Sequence, residues 1–169
     1  MVRNILMALI SFALLMGCAP KIDQKKYENL HRAAKAIQGA TAVGVSYQKF
    51  GELLQNLSTE ISIANDKAKS DIEKELLKGY VDVLMTYHES ATVWKHKIEG
   101  ARYDWIPSGQ VYVERELQPI VSKYSLPTEK HVIRITGHKF DTISEDSIQV
   151  IWGKANEHLE KTTKLYLGQ

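Results

Sequence analysis

Glu28-Asn29-Leu30-His31 sets a carboxylate and an imidazole three residues apart, the E-x-x-H spacing that aims both groups from one helix face at a metal. A carboxylate-bridged two-metal core needs two such pairs and two further glutamates, and the sequence holds no second pair. His88-Glu89-Ser90-Ala91-Thr92 begins like the zinc-protease helix H-E-x-x-H but ends on Thr92, where the second imidazole belongs. His88 and His96 stand two turns apart on one helix, about 12 Å in rise, too far to share an ion. Gly39 to Ser46 follows the spacing of the phosphate loop G-x-x-x-x-G-K-[ST], with Val45 in place of the lysine. Gly44-Val45-Ser46-Tyr47-Gln48 lacks the closing glycine of a nucleophile elbow. No nucleophile, base and orienting group can be nominated together, so a non-catalytic protein without metal or cofactor is expected.

Cys18 is the only cysteine, and its setting is the most specific signal in the chain. In MVRNILMALISFALLMGC, Arg3 precedes an apolar run from Ile5 to Met16, which is short of the roughly 20 residues a membrane-spanning helix needs. It fits the core of a signal peptide. Leu15-Met16-Gly17-Cys18 resembles the lipobox of bacterial lipoprotein precursors, with an aliphatic residue three before the cysteine and a small one just before it. The resemblance implies cleavage between Gly17 and Cys18, a diacylglyceryl group on the Cys18 thiol, and an acylated amino terminus. Two or three acyl chains hold a protein at a membrane almost permanently, where one holds it only marginally. With Cys18 acylated, no thiol remains for a disulfide, a metal or nucleophilic attack. Ala19 at the following position, rather than Asp, implies an anchor in the outer membrane of a bacterial cell envelope, facing the periplasm. The expected division is a signal peptide at 1–17, a lipidated cysteine and short tether at 18–26, and one domain at 27–169.

Twenty-two basic against 20 acidic side chains leave a net charge of +2, and no basic stripe interleaves with aromatics, so a nucleic-acid partner is not expected. TGHKFD at 136–141 carries part of the G-H-T-D turn of outer-membrane peptidoglycan-binding domains, with Lys139 in the threonine position.

The elements that must carry these residues read as helices. Ala33, Ala36, Ala40, Val43, Tyr47, Phe50, Leu54, Leu57, Ile61 and Ala64 recur in steps of three and four, predicting one helix from about Tyr27 to Ala64, roughly 57 Å long. Asn65 and Asp66 end it, and Ser70 with Glu73 forms a capping box opening a second helix along Leu77, Tyr80, Leu84, Tyr87, Ala91, Trp94, Ile98 and Ala101. A fold-back near Lys67 would set Phe50 against Leu84, Tyr47 against Tyr87 and Ala40 against Trp94. The thin patch Ala36, Gly39, Ala40 and Gly44 would then receive the rings of Tyr87 and Trp94, or else leave space for a ligand.

Farther on, Val113 to Tyr124 suggests a short helix with Pro119 in its first turn or at a kink, and Val132 to Thr136 alternates like a strand but reads as a connector for want of a partner. Thr142 to Glu145, or Ser144, would cap a last helix through Ile148, Ile151, Trp152, Ala155, Leu159, Thr162 and Tyr166. The expected fold is all-α, a long antiparallel helical hairpin with shorter helices forming a bundle. The expected function is a membrane-tethered scaffold or docking module for envelope proteins, with a carrier of a small apolar ligand or lipid as the alternative.

Overall fold

The computed structural model describes residues 21–169, and the lipobox residues Leu15, Met16, Gly17 and Cys18 lie outside them. A single 3-10 turn, Gln24–Tyr27, leads into helices α1 (Glu28–Val43), α2 (Tyr47–Asn65) and α3 (Asp71–Gly100). Strand β1 (Gln110–Tyr112), helix α4 (Gln118–Tyr124), strands β2 (Thr128–Val132) and β3 (Lys139–Ser144), and helix α5 (Ser147–Leu167) follow. The protein is mostly helical. The all-α expectation is corrected by an antiparallel sheet of order β1-β3-β2. Among the described residues, no helix is long and apolar enough to cross a membrane.

The expected first helix is two helices. Gly44 sits at φ +100°, a backbone conformation open to glycine and costly to residues with a Cβ, and it ends α1. Ser46 then accepts a hydrogen bond from the Lys49 backbone N–H at 3.2 Å and caps α2. Ala40, Val43 and Tyr47 keep their three-and-four spacing across the break, so periodicity alone passes over it.

The second connection obeys the local chemistry. Ser70 Oγ accepts from the Glu73 N–H at 3.4 Å, while the Glu73 carboxylate accepts from the Lys69 and Ser70 N–H groups at 2.8 and 3.1 Å. The same carboxylate pairs with the Lys26 ammonium, tying the start of α3 to the chain just before α1. The Lys26 ammonium, then the two backbone donors, hold the Glu73 carboxyl down at about 2. A carboxyl lowered in the folded state adds stability above its ordinary value and loses it as pH falls through the folded one. Glu73→Gln is therefore expected to lower the melting temperature at pH 7, and the gap from wild type should narrow as pH falls from about 4.5 toward 2. Thermal unfolding across that range checks this; a gap constant with pH would contradict it.

Chain order resumes its entry into the core earlier than expected. Ile22, within the span assigned to a tether, is buried in the main core, and the Tyr166 hydroxyl donates to the Gln24 carbonyl at 2.9 Å. The main core gathers Leu30, Ile37, Phe50, Leu57, Leu76, Tyr80 and Leu159 from the four long helices. A second core joins Val93 and Ile151 to Val111 and Ile143 of the sheet and to Leu117 and Ile120 at α4. Trp94 and Trp152 pack against both.

The last third departs most from expectation. Pro119 does lie in the first turn of α4, but that helix starts only at Gln118, and Val113 to Leu117 of the expected segment are irregular chain and turn following β1. The segment read as a connector contributes Val132 to β2, whose partner is β3 with Val132 opposite Lys139 and His131 opposite Phe140. Ile133 and Gly137 close the hairpin, the Gly137 N–H donating to the Ile133 carbonyl at 2.8 Å with Gly137 at φ +70°. Thr142, expected to cap the last helix, is a β3 residue, and α5 begins at Ser147 after Asp146 with no side-chain cap.

Candidate functional site

The residues singled out as a patch are split by the break in the first arm. Ala36 and Gly39 are exposed, and a Cβ at Gly39 would meet nothing within 4 Å. Ala40 is half-buried. The expected match of this small patch to bulky rings is corrected: the rings about Trp94 are those of Tyr47 at 5.5 Å, Phe50 at 5.8 Å and Trp152 at 5.7 Å. Phe50 in turn meets Tyr87 at 5.9 Å and Trp152 at 5.6 Å. The connection Asp66–Ser70 puts the fold-back beyond Lys67, which moves Tyr47 from the expected Tyr87 to Trp94.

Polar groups beneath these rings are paired off. Trp152 Nε1–H donates to Ser90 Oγ at 2.9 Å, and Ser90 Oγ–H donates to the Tyr87 carbonyl at 2.6 Å. The Tyr87 hydroxyl donates to Asn156 Oδ1 at 2.8 Å, and burial pushes its phenol up to about 12, so it stays neutral at ordinary pH. A satisfied network of this kind fixes the rings it touches.

Outside that network lies a cleft of about 640 Å³, with Thr41 to Val45 on one wall, Trp94 and Lys97 on another, and Glu145 to Gly153 with Asn156 on the third. Gly44 and Trp94 are the patch residues that line it, and the Tyr87 hydroxyl bonds Asn156 at its edge. The break in the first arm is what opens this space. Lys97 Nζ pairs with Glu145 at 2.6 Å across the cleft's rim.

A second surface is the outer face of the sheet, which sequence reasoning missed. His131, Phe140, Thr142 and Tyr112 share that face by register, and the indole of Trp105 lies on it, 4.9 Å from Phe140 and 5.3 Å from Tyr112. Tyr103 adjoins Trp105 at 5.6 Å, with the Arg102 guanidinium 5.3 Å over its ring. Tyr103 is 43% exposed and Trp105 36%. Thr142 lies wholly buried beneath, donating to Gln110 Oε1 at 2.9 Å and bonded to His131 Nε2 at 3.0 Å. The signal that could have located it was the aromatic pair in RYDWIPSG, a turn segment with no need of aromatics for its own conformation.

No family model, curated protein or solved structure matches this chain. The two surfaces are distinguished by their own chemistry.

The remaining nominated residues find structural partners. The Glu28 carboxylate accepts from Arg32 at 2.5 Å, while His31 Nδ1 bonds the Tyr80 hydroxyl at 2.8 Å and its ring stacks on Tyr166 at 4.3 Å, so this E-x-x-H pair does not converge. Burial, with Lys35 nearby, lowers the His31 imidazole below its ordinary value. His88 is exposed, whereas His96 is buried with Nε2 3.1 Å from Glu116. Glu89 accepts from Lys123 at 2.8 Å and pairs with the Tyr124 hydroxyl. Ser46 is the α2 cap, and His138 and Gly137 of TGHKFD belong to the β2–β3 turn. Among the described residues, no three His, Cys, Asp or Glu side chains are grouped to hold an ion.

Proposed function

We propose that this protein is a lipid-anchored component of a bacterial cell envelope, held by Cys18 in the outer membrane, whose helical body is a non-catalytic bundle that docks other envelope proteins. The observation that carries the proposal is the exposed aromatic face formed by Trp105 and Tyr103 over the sheet. Trp, Tyr and Arg dominate binding energy at protein interfaces because large rigid rings bury much area at little entropic cost. The placement of that face adds support. The chain enters the core at Ile22, and Gln24 and Lys26 are tied to Tyr166 and Glu73 at one end of the molecule. From its start at Asp71, α3 runs 30 residues, about 45 Å, before the chain reaches Tyr103 and Trp105. An anchor at Cys18 would hold the first end against the bilayer and turn the aromatic face away from it, toward partners in the periplasm.

Affinity capture of the full-length protein from envelopes tests the proposal. A partner recovered by wild type should be lost with Tyr103→Ser/Trp105→Ser, a weakening of about thirtyfold or more for anchors of this kind. The same proteins recovered with both forms would contradict it. Mass spectrometry of the same material checks the anchor: wild type should carry diacylglyceryl on Cys18, and Cys18→Ser should be unlipidated and leave the membrane fraction. Wild-type protein without an acyl mass would sink the lipoprotein assignment.

A second reading, a binding module for a small ligand with an apolar body, is supported by the cleft beside Trp94 and Trp152.

A further inference from the structure

We infer that the cleft between the α1–α2 break and the start of α5 binds a small organic cation, an amine or quaternary ammonium carried on an apolar body. The inference rests on the ligand-binding reading of this cleft and is independent of the aromatic face of the sheet.

The walls offer hydrogen-bond acceptors and π faces, and their one ammonium is spent on a carboxylate. The last turn of α1 leaves its carbonyls without intrahelical partners, and among the described residues no backbone N–H from beyond Gly44 returns to them. Those carbonyls are the negative end of the helix dipole, at the residues that form one wall. The Thr41 hydroxyl donates back to the Ile37 and Gln38 carbonyls, both at 3.1 Å, which leaves its oxygen as an acceptor. Opposite stand Asp146, which is exposed, and Glu145.

Donors that would draw an anion are committed. Lys97 is paired with Glu145 at 2.6 Å. At the start of α5, where free N–H groups would favour negative charge, the Ile148 N–H donates to the Glu145 carbonyl at 3.2 Å and the Gln149 N–H to the Asp146 carbonyl at 2.9 Å. The indole N–H of Trp94 and the side-chain amides of Gln149 and Asn156 are left, and all three are neutral. One positive side chain therefore faces two carboxylates and a helix C-terminus.

Between these polar walls lie Trp94 and Trp152, each half-buried, with ring centroids 5.7 Å apart and planes at 65°. The Trp152 N–H is turned to Ser90, so the only donor of that indole is occupied away from the cleft. A cation is attracted to an indole face, most strongly when partly desolvated, and a quaternary ammonium enters such an environment at less dehydration cost than a compact ammonium. A volume of about 640 Å³ is in the range of small-molecule sites.

Benzyltrimethylammonium, benzyl alcohol and benzoate share a ring and differ in charge, so they test the inference on the full-length protein in a nonionic detergent. Isothermal titration and tryptophan fluorescence should give saturable binding of benzyltrimethylammonium about tenfold or more tighter than benzyl alcohol, with benzoate the weakest. Gly153 lines the cleft on the exposed side of α5, and a Cβ there meets nothing within 4 Å. Gly153→Phe should thus fill the cleft and abolish binding while the far-ultraviolet circular dichroism and melting temperature are kept. Asp146→Asn should weaken the cation about threefold and leave benzyl alcohol unchanged. Equal binding of the neutral and cationic probes, both lost in Gly153→Phe, would overturn the charge preference and leave the cleft a ligand site. Binding of none of the three would overturn both, and cation binding untouched by Gly153→Phe would overturn the location.

Discussion

Phe50→Ala is expected to destabilise the protein by about 3–5 kcal/mol, the largest effect of any single truncation proposed for it. Phe50 is fully buried, and its ring is the one that touches Tyr87, Trp94 and Trp152 together. Those three rings come from α3 and α5, so removing the phenyl opens a void where α2 meets both helices. The void cannot close cheaply. Trp152 is tied to Ser90 and Tyr87 to Asn156, which prevents the neighbours from collapsing inward. Chemical denaturation read by tryptophan fluorescence measures the cost, and loss of near-ultraviolet circular dichroism should accompany it. A cost under about 1 kcal/mol would mean that α2 does not pack on the aromatic network as described.

Gly79→Ala is expected to cost about 1–3 kcal/mol, even though alanine is the better helix former by about 1 kcal/mol. A Cβ at Gly79 would stand 2.4 Å from Thr162 Oγ1 and 3.0 Å from Thr162 Cγ2, far inside contact distance. Thr162 cannot swing away easily. It is buried and β-branched, and its Oγ1 donates to the His158 carbonyl at 2.9 Å. Relief must come from separating α3 and α5 beside the main core. Thr162→Ala removes both offending atoms, so the double variant should be more stable than the two single costs added together, by about 0.5–3 kcal/mol. A neutral or stabilising Gly79→Ala on its own would show that the two helices do not approach so closely.

That pair of glycines, 79 and 44, illustrates what pattern reading misses. In the sequence, Gly39 and Gly44 stand out because their neighbours are small, and Gly79 does not stand out at all. In the fold, Gly39 faces open space, Gly44 turns the chain at positive φ, and Gly79 lies against Thr162 with no room for a Cβ. A glycine's purpose depends on its backbone angle and on what lies opposite, and neither is encoded by its immediate neighbours. The chemistry-bearing candidates divided the same way. Glu28 and His31 have the spacing of a ligand pair, yet Arg32 takes the carboxylate and Tyr80 and Tyr166 take the ring.

Local features are legible from the residues alone: the capping box of Ser70 and Glu73, the ends at Asn65 and Asp66, and the helical period of α3 and α5. So is the lipobox resemblance at Leu15 to Cys18. Helix starts and stops are legible because their hydrogen bonds join residues three or four apart, so donor and acceptor are written side by side. The pairing of β2 with β3, the meeting of Trp94 with Tyr47 and Trp152, and the cleft that the Gly44 break opens onto α5 exist only in the assembled fold. Strand ladders and ring contacts join residues far apart in the chain. Trp94 and Trp152 are set 5.7 Å apart because burying both indoles together excludes more water than either helix can alone, a gain that exists only once α3 and α5 have met.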